Sequence, residues 1–156
     1  MSNLICELKN DNIQEALELV WSVFNEFEAP EYSVEGINNF KLFIDYNSMI
    51  ERISLGSVKM FGCFIDNKLV GIIALKEMKH ICLLFVDKNY HRNGFARQLF
   101  QKALIACKEE NSELKQITVN SSPYAVEVYQ KLGFIATDTE QVVDGIRFTS
   151  MKFCIG

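Results

Sequence analysis

Residues 81–86 read Ile-Cys-Leu-Leu-Phe-Val, an unbroken apolar run between His80 and Asp87, and this run restricts the fold more than any other stretch. A strand with one wet face alternates polar and apolar residues. A run without alternation predicts a strand buried on both faces, at the centre of a sheet. Directly after it comes Asn89-Tyr90-His91-Arg92-Asn93-Gly94-Phe95-Ala96-Arg97. From Gly94 the period changes to that of a helix: Leu99, Ala103 and Cys107 form one row, Phe100 and Leu104 the next, and the pattern stops near Glu110-Asn111.

The remaining elements follow from the same two periods. Residues 3–8 read as a short strand. Asp11, with Gln14 three residues on, predicts a capped helix start, and Ile13, Leu17, Val20, Phe24 and Phe27 keep helical spacing, widened by Trp21. Ser33 is the expected cap of a second helix carrying Val34, Ile37, Phe40 and Ile44. Between the two helices, residues 26–32 are acidic and aromatic (Glu-Phe-Glu-Ala-Pro-Glu-Tyr). Strands at 57–66 and 68–76 flank Asp66-Asn67-Lys68, a tight hairpin turn. A strand is expected at 116–119, then a helix capped by Ser122, with Pro123 at its first position and Gly133 past its end. Strands at 134–136 and 146–155, joined by a polar segment 137–145, complete the order β-α-α-β-β-β-α-β-α-β-β. The three strands before Gly94 form a meander, and the helix after it crosses over to a parallel strand.

At 156 residues the chain suits one domain spanning 1–156. With 49% apolar residues and 12 Phe a sizeable core is available, and two Pro with eight Gly argue against a linker. A net charge of −4 leaves no basic footprint for nucleic acid. No apolar run has the length of a membrane span and residues 1–8 show no signal-peptide pattern, so a cytoplasmic location is expected. Cys6, Cys63, Cys82, Cys107 and Cys154 contain no C-x-x-C pair and read as reduced thiols packed as small hydrophobes. His80 and Cys82 share a strand face, but no second ligand pair accompanies them, so no metal is expected.

The loop at 89–97 has a chemistry of its own. Small residues at Gly94 and Ala96 let a ligand approach the backbone, and the first N–H groups of a helix with its dipole favour phosphate or pyrophosphate. Arg92 and Arg97 add full charges. The loop lacks the Lys-Ser or Lys-Thr of a phosphate-binding Walker loop and the three glycines of the dinucleotide fingerprint.

His91-Arg92-Asn93-Gly94-Phe95-Ala96, followed by Tyr129-Gln130-Lys131-Leu132-Gly133-Phe134, resembles the GNAT superfamily of N-acetyltransferases. The stretch at 91–96 is similar to its Q/R-x-x-G-x-G/A pyrophosphate loop, with His91 where Gln or Arg is usual. The stretch at 129–134 is similar to its Y-x-K-x-G-F ending. In element order the resemblance runs from about residue 3 to 153, and its specific motifs cover 84–134.

The resemblance implies an α/β (α+β) fold with a central mixed, mostly antiparallel sheet of about seven strands flanked by four helices. It implies acetyl-CoA as co-substrate, lying where the sheet splays open between the strands at 81–87 and 116–119. Backbone groups of Phe85 and Val86 would hold the pantetheine like an added strand. The loop from His91 through Arg92, Asn93, Gly94, Phe95 and Ala96 to Arg97 would hold the pyrophosphate, and Asn120, Ser122 and Tyr124 would flank the cofactor from the other side. An amine would attack the thioester directly through a tetrahedral intermediate, with an N–H near Val86 meeting the oxyanion. Tyr129, a phenol of pKa about 10, would protonate the departing thiolate. Family members are often dimers, so a homodimer is carried as an analogy.

Read from the residues alone, Tyr129 fits first a core position beside Ala125, Val128 and Leu132. The proton acceptor for the amine is open among Glu77, Asp87, His80 and the acids Glu26, Glu28 and Glu31, the last three reading first as a solvated acidic face and, more sharply, as charges that attract a cationic amine into the cleft. A non-catalytic acyl-CoA-binding module and a nucleotide-binding α/β domain are the competing readings. Polyamine, amino sugar, amino acid and protein terminus all fit as the amine.

Overall fold

The computed structural model describes residues 3–156; Met1 and Ser2 lie outside the described residues. One mixed sheet runs through the molecule in the order β1-β2-β3-β4-β5-β8-β6, with β7 also on β8. Its strands are β1 (Asn3–Glu7), β2 (Val58–Ile65), β3 (Lys68–Lys76), β4 (His80–Val86), β5 (Gln116–Ser121), β6 (Ile135–Ala136), β7 (Gln141–Val143) and β8 (Ile146–Cys154). The pair β4–β5 is parallel and every other pair antiparallel. Helices α1 (Asn10–Phe27), α2 (Val34–Phe43) and α3 (Tyr46–Ser54) pack with one core, α4 (Phe95–Glu110) and α5 (Val126–Leu132) with the other.

The central strands serve both cores by alternation. Along β3, Ile73 and Leu75 enter the α4 side while Ile72 and Ala74 enter the α1 side. The row Leu99, Ala103 and Cys107 is fully buried, as its spacing predicts. Asp66 and Asn67 take φ of 48° and 69°, so the β2–β3 hairpin turns as expected. The fold is the predicted α/β one, with eight strands and five helices among the described residues, against about seven and four. The additions are α3, which buries only Met49 among its residues, and β7, three exposed residues inside the segment read as a polar connection.

Three local expectations are corrected. Asp11 is not the cap of α1: the helix begins at Asn10 behind Lys9, which offers no side-chain bond. A cap is worth about 1 kcal/mol, whereas each large apolar side chain buried contributes about 1.5–3 kcal/mol. The six buried side chains of α1, Ile13 to Phe24, therefore hold it without one. Val34 does not face the core but is 76% exposed, because Ser33 caps α2 through Gly36 N–H and the helix turns its glycine inward instead. Of the cysteines, Cys63 and Cys107 are buried and Cys154 is exposed.

Helix α2 carries the β7–β8 hairpin. Asn39 donates to the Asp144 carbonyl at 2.9 Å and the Ser33 hydroxyl to that of Gly145 at 3.3 Å. Arg147 at the start of β8 pairs with Glu31 (2.8 Å) and Glu140 (3.1 Å). Exposed ion pairs contribute about 0–1 kcal/mol each, so the close fit of Gly36 on the Gly145 backbone fixes the hairpin more firmly. A methyl group at Gly36 would strike the Gly145 carbonyl. Gly36→Ala is expected to lower stability by about 1–3 kcal/mol, measured as a lower urea midpoint with the far-ultraviolet dichroism unchanged in shape. An unchanged midpoint would mean that the hairpin lifts freely from α2.

Candidate active site

Strands β4 and β5 pair only at His80↔Thr118 and Ile81↔Val119 and then part. The cause lies on the other edge of β4, where its register with β3 slips by one residue between Ala74 and Leu75. A slip of one residue reverses which backbone groups face which neighbour. Asp87 N–H donates to the Val70 carbonyl at 2.7 Å, so Asp87 and Phe85 face β3. Leu84 and Val86 turn their N–H and C=O groups to the gap. The expectation for Phe85 is thereby corrected: its backbone belongs to the β3 ladder, opposite Ile72, and its side chain lines the gap. Leu84 takes the place expected of it. His91 Nε2 lies 2.7 Å from the Val86 carbonyl; a carbonyl only accepts, so the ring proton sits on Nε2.

The gap opens into a cleft of about 570 Å³. One wall is the start of α4. Gly94 caps the helix with φ 81° and Arg92 takes φ 64°. The first helical bond runs from Gln98 N–H to the Gly94 carbonyl, so the N–H groups of Phe95, Ala96 and Arg97 have no acceptor within the helix. Gly94 and Ala96 border the cleft, as do His91 and Arg92. Arg97 is exposed and also borders the cleft. Its guanidinium donates to the Lys131 carbonyl at 2.6 Å and ties the first turn of α4 to the last of α5. Asn93 bonds the His91 carbonyl and is not part of the lining.

The facing wall is the turn before α5 and the helix itself. Ser122 accepts from Ala125 N–H at 3.2 Å, which caps a turn; α5 starts only at Val126, so Pro123 is not its first residue. Gly133 ends the helix with φ 107°. Tyr129 is buried, its ring edge-on to Phe134 at 5.3 Å. Burial, and then the Glu28 charge, hold its phenol above the usual range. Tyr124 borders the cleft beside Phe27, 5.3 Å away. Asn120 accepts from the Ser150 hydroxyl, and neither it nor Ser122 is in the lining.

The third wall holds a residue whose setting the sequence did not reveal. Of the three acids read as a solvated face, Glu26 pairs with Lys88 and Glu31 with Arg147. Glu28 is 8% exposed and borders the cleft. It caps the C-terminus of α1, bonding the Phe24 carbonyl through its own N–H. The 3-10 turn Ala29–Glu31 then rolls its side chain inward. Burial pushes the Glu28 carboxyl up to about 7, against the Ser122 side chain, which favours its charged form. The other candidate proton acceptors stand apart. His80 bonds Thr118 at 2.7 Å and borders, with Glu77, a separate depression at the far end of β4. The Asp87 carboxylate accepts from Asn89 N–H.

A family model described as the acetyltransferase (GNAT) domain matches residues 28–155. UPF0039 protein C11D3.02c of Schizosaccharomyces pombe is 25% identical over 144 residues, 87% of this chain and 96% of that protein. Among solved structures, the PaiA N-acetyltransferase of Thermoplasma acidophilum in complex with coenzyme A superposes with a TM-score of 0.81 at 22% identity, covering 99% of this chain and 100% of that one. The ribosomal-protein-S18-alanine N-acetyltransferase of Escherichia coli gives 0.69 at 14%, covering 99% and 94%. Among the described residues no helix is long and apolar enough to cross a membrane, and no group of three or more His, Cys, Asp or Glu is placed to hold a metal.

The buried carboxyl of Glu28 makes stability depend on pH. Its pKa is raised on folding, from 4.5 to about 7, so between these values the folded chain binds a proton that the unfolded chain has released. Stability therefore falls as pH rises through this window. Glu28→Gln removes the buried charge and is expected to be more stable than the parent at about pH 8, by on the order of 2 kcal/mol, the two converging near pH 5. Parallel urea midpoints across that range would contradict the burial of this carboxyl.

Proposed function

The chain belongs to the GNAT family of acetyltransferases, and from that premise we propose that it moves the acetyl group of acetyl-CoA onto an amine. The observation that carries this reading is the convergence of two unsatisfied backbone edges on one cleft: β4 at Leu84 and Val86, and the first N–H groups of α4. An extended chain of amides fits the first as an added strand, and a pyrophosphate fits the second. Coenzyme A contains both, in that order. When bound, acetyl-CoA supplies an activated acyl group whose thiolate is a good leaving group.

The residues then divide the work. The Val86 N–H faces the gap and is suited to negative charge developing on a carbonyl oxygen held there. Its own carbonyl is engaged by His91, which keeps a competing acceptor away from that oxygen. Arg92 is exposed at the loop and supplies charge to phosphates. Tyr129 stays protonated at neutral pH, since burial disfavours the phenolate, so it has a proton to give to the departing sulfur. Phe134 fixes the ring that carries it.

The test follows free thiol release from acetyl-CoA with a panel of polyamines, amino sugars, amino acids and peptides; binding without turnover of any amine would favour a non-catalytic module. Tyr129→Phe is expected to lower the maximal rate about 100-fold while Tm and acetyl-CoA affinity hold. A rate within about threefold of the parent would return Tyr129 to a packing role. Gly94→Val is expected to weaken acetyl-CoA about tenfold, about 1.4 kcal/mol. A Cβ there has no heavy atom within 4 Å, but at φ 81° any side chain strains the turn, so Tm is followed alongside. Weaker binding with Tm held assigns the loss to the cofactor contact, and an unchanged dissociation constant would mean that nothing approaches the loop there.

A further inference from the structure

We propose that Glu28 is the base of the reaction and that the acceptor is a primary alkylammonium ion, received between the rings of Phe27, Phe85 and Tyr124 with this carboxylate behind them. The inference rests on the acetyl-transfer reading above and names the acceptor and the route of its proton.

The carboxylate is buried in the cleft without a cation of its own. Among the described residues Lys88 lies on Glu26, Arg147 on Glu31 and Glu140, and the Arg97 guanidinium on the Lys131 carbonyl, while Arg92 and Lys131, which also border the cleft, make no ion pair with Glu28. The groups that face Glu28 are phenols and a hydroxyl. Tyr32 follows the 3-10 turn, Tyr124 and Tyr129 come from the α5 side, and Ser122 from the turn before it. Arg92 acts on Tyr124, and Arg147 on Tyr32. An unpaired buried carboxylate is costly, and a ligand that brings one positive charge relieves the cost. Aromatic faces attract the same kind of ligand. A cavity with one anionic point and aromatic walls selects a compact cation over a neutral sugar or an anion.

The chemistry closes on the residues present. The ammonium gives one proton to the Glu28 carboxylate, and the freed nitrogen lone pair forms the N–C bond to the thioester carbon. As the C–S bond breaks, its electron pair leaves on sulfur, which takes the Tyr129 proton. The phenolate recovers a proton from the nitrogen, which holds one too many for an amide, and Glu28 releases its own to solvent. The two walls are coupled. The Glu28 charge holds the Tyr129 proton on, so protonating Glu28 makes Tyr129 a better donor at the moment sulfur needs one.

The experiment measures kcat/KM against pH for acetyl-CoA with n-butylamine, a strong base that arrives as a cation, and with 2,2,2-trifluoroethylamine, a weak base that arrives neutral. The proteins are the parent, Glu28→Gln and Glu28→Asp. With butylamine the parent is expected to show an acid limb with an apparent pKa about 7, the value of the Glu28 carboxyl. Glu28→Gln should lose that limb and about 100-fold in rate. With trifluoroethylamine the loss should stay under about fivefold, Glu28→Asp should recover part of the butylamine rate, and acetyl-CoA affinity should not change. An equal loss with both amines would make Glu28 a structural group, and a Glu28→Gln rate within about threefold of the parent would remove it from the reaction; either overturns this inference alone. A parent that turns over neither amine overturns both this inference and the reading beneath it.

Discussion

A one-residue slip between β3 and β4 governs the arrangement of the site. Opposite Ala74 and Leu75 the register of β4 shifts, and beyond that point Leu84 and Val86 no longer bond β3. Left facing a neighbour in register, they would simply have extended the sheet. The crossover through α4 instead brings β5 in at the His80 end only, with two paired positions, and the strands diverge over the rest. An unpaired backbone edge inside a protein is costly unless something bonds it, and the cleft leaves it available to a ligand. The same divergence gives α4 a free N-terminus opening on the gap, and lets Tyr129 reach it from the opposite side.

The remaining parts hold this opening in shape. Arg97 ties α4 to α5 through the Lys131 carbonyl, which fixes the distance between the first turn of α4 and the helix that carries Tyr129. The hairpin of β7 and β8 is fastened to α2 by Gly36, Ser33 and Asn39, and Arg147 fastens Glu31, three residues past Glu28. Glu28 is thereby carried on a braced turn. Its burial destabilises the fold at neutral pH, and the two apolar cores absorb that cost. A strained or desolvated group at a functional site, supported by packing elsewhere, is a recurrent trade between stability and activity.

The sequence showed much of this frame and little of its fine geometry. Leu99, Ala103 and Cys107 were legible because a helical row repeats at four-residue steps over about two turns. Gly133 was legible because a left-handed position after a helix asks for glycine. The slip in β4 was not, because Leu83, Leu84 and Phe85 are all apolar and nothing in their identity says which one pairs with Ala74. Glu28 was hidden among Glu26 and Glu31, since three acids in six residues look alike until the chain turns at Ala29. The tie from Arg97 to α5 was not legible either, because its acceptor, a backbone carbonyl 34 residues away, has no signature. Helix α3 escaped because Met49 alone is buried along it, too thin a stripe for periodicity to register.

The site depends on Leu84 and Val86 presenting their amides to the cleft. Residue-resolved amide hydrogen exchange with and without acetyl-CoA tests this directly. The expected result is slowed exchange at Leu84 and Val86 and at residues 95–97, with Phe85 unchanged because it already bonds β3. Unchanged exchange at Leu84 and Val86, or protection confined to the depression around His80, would contradict it.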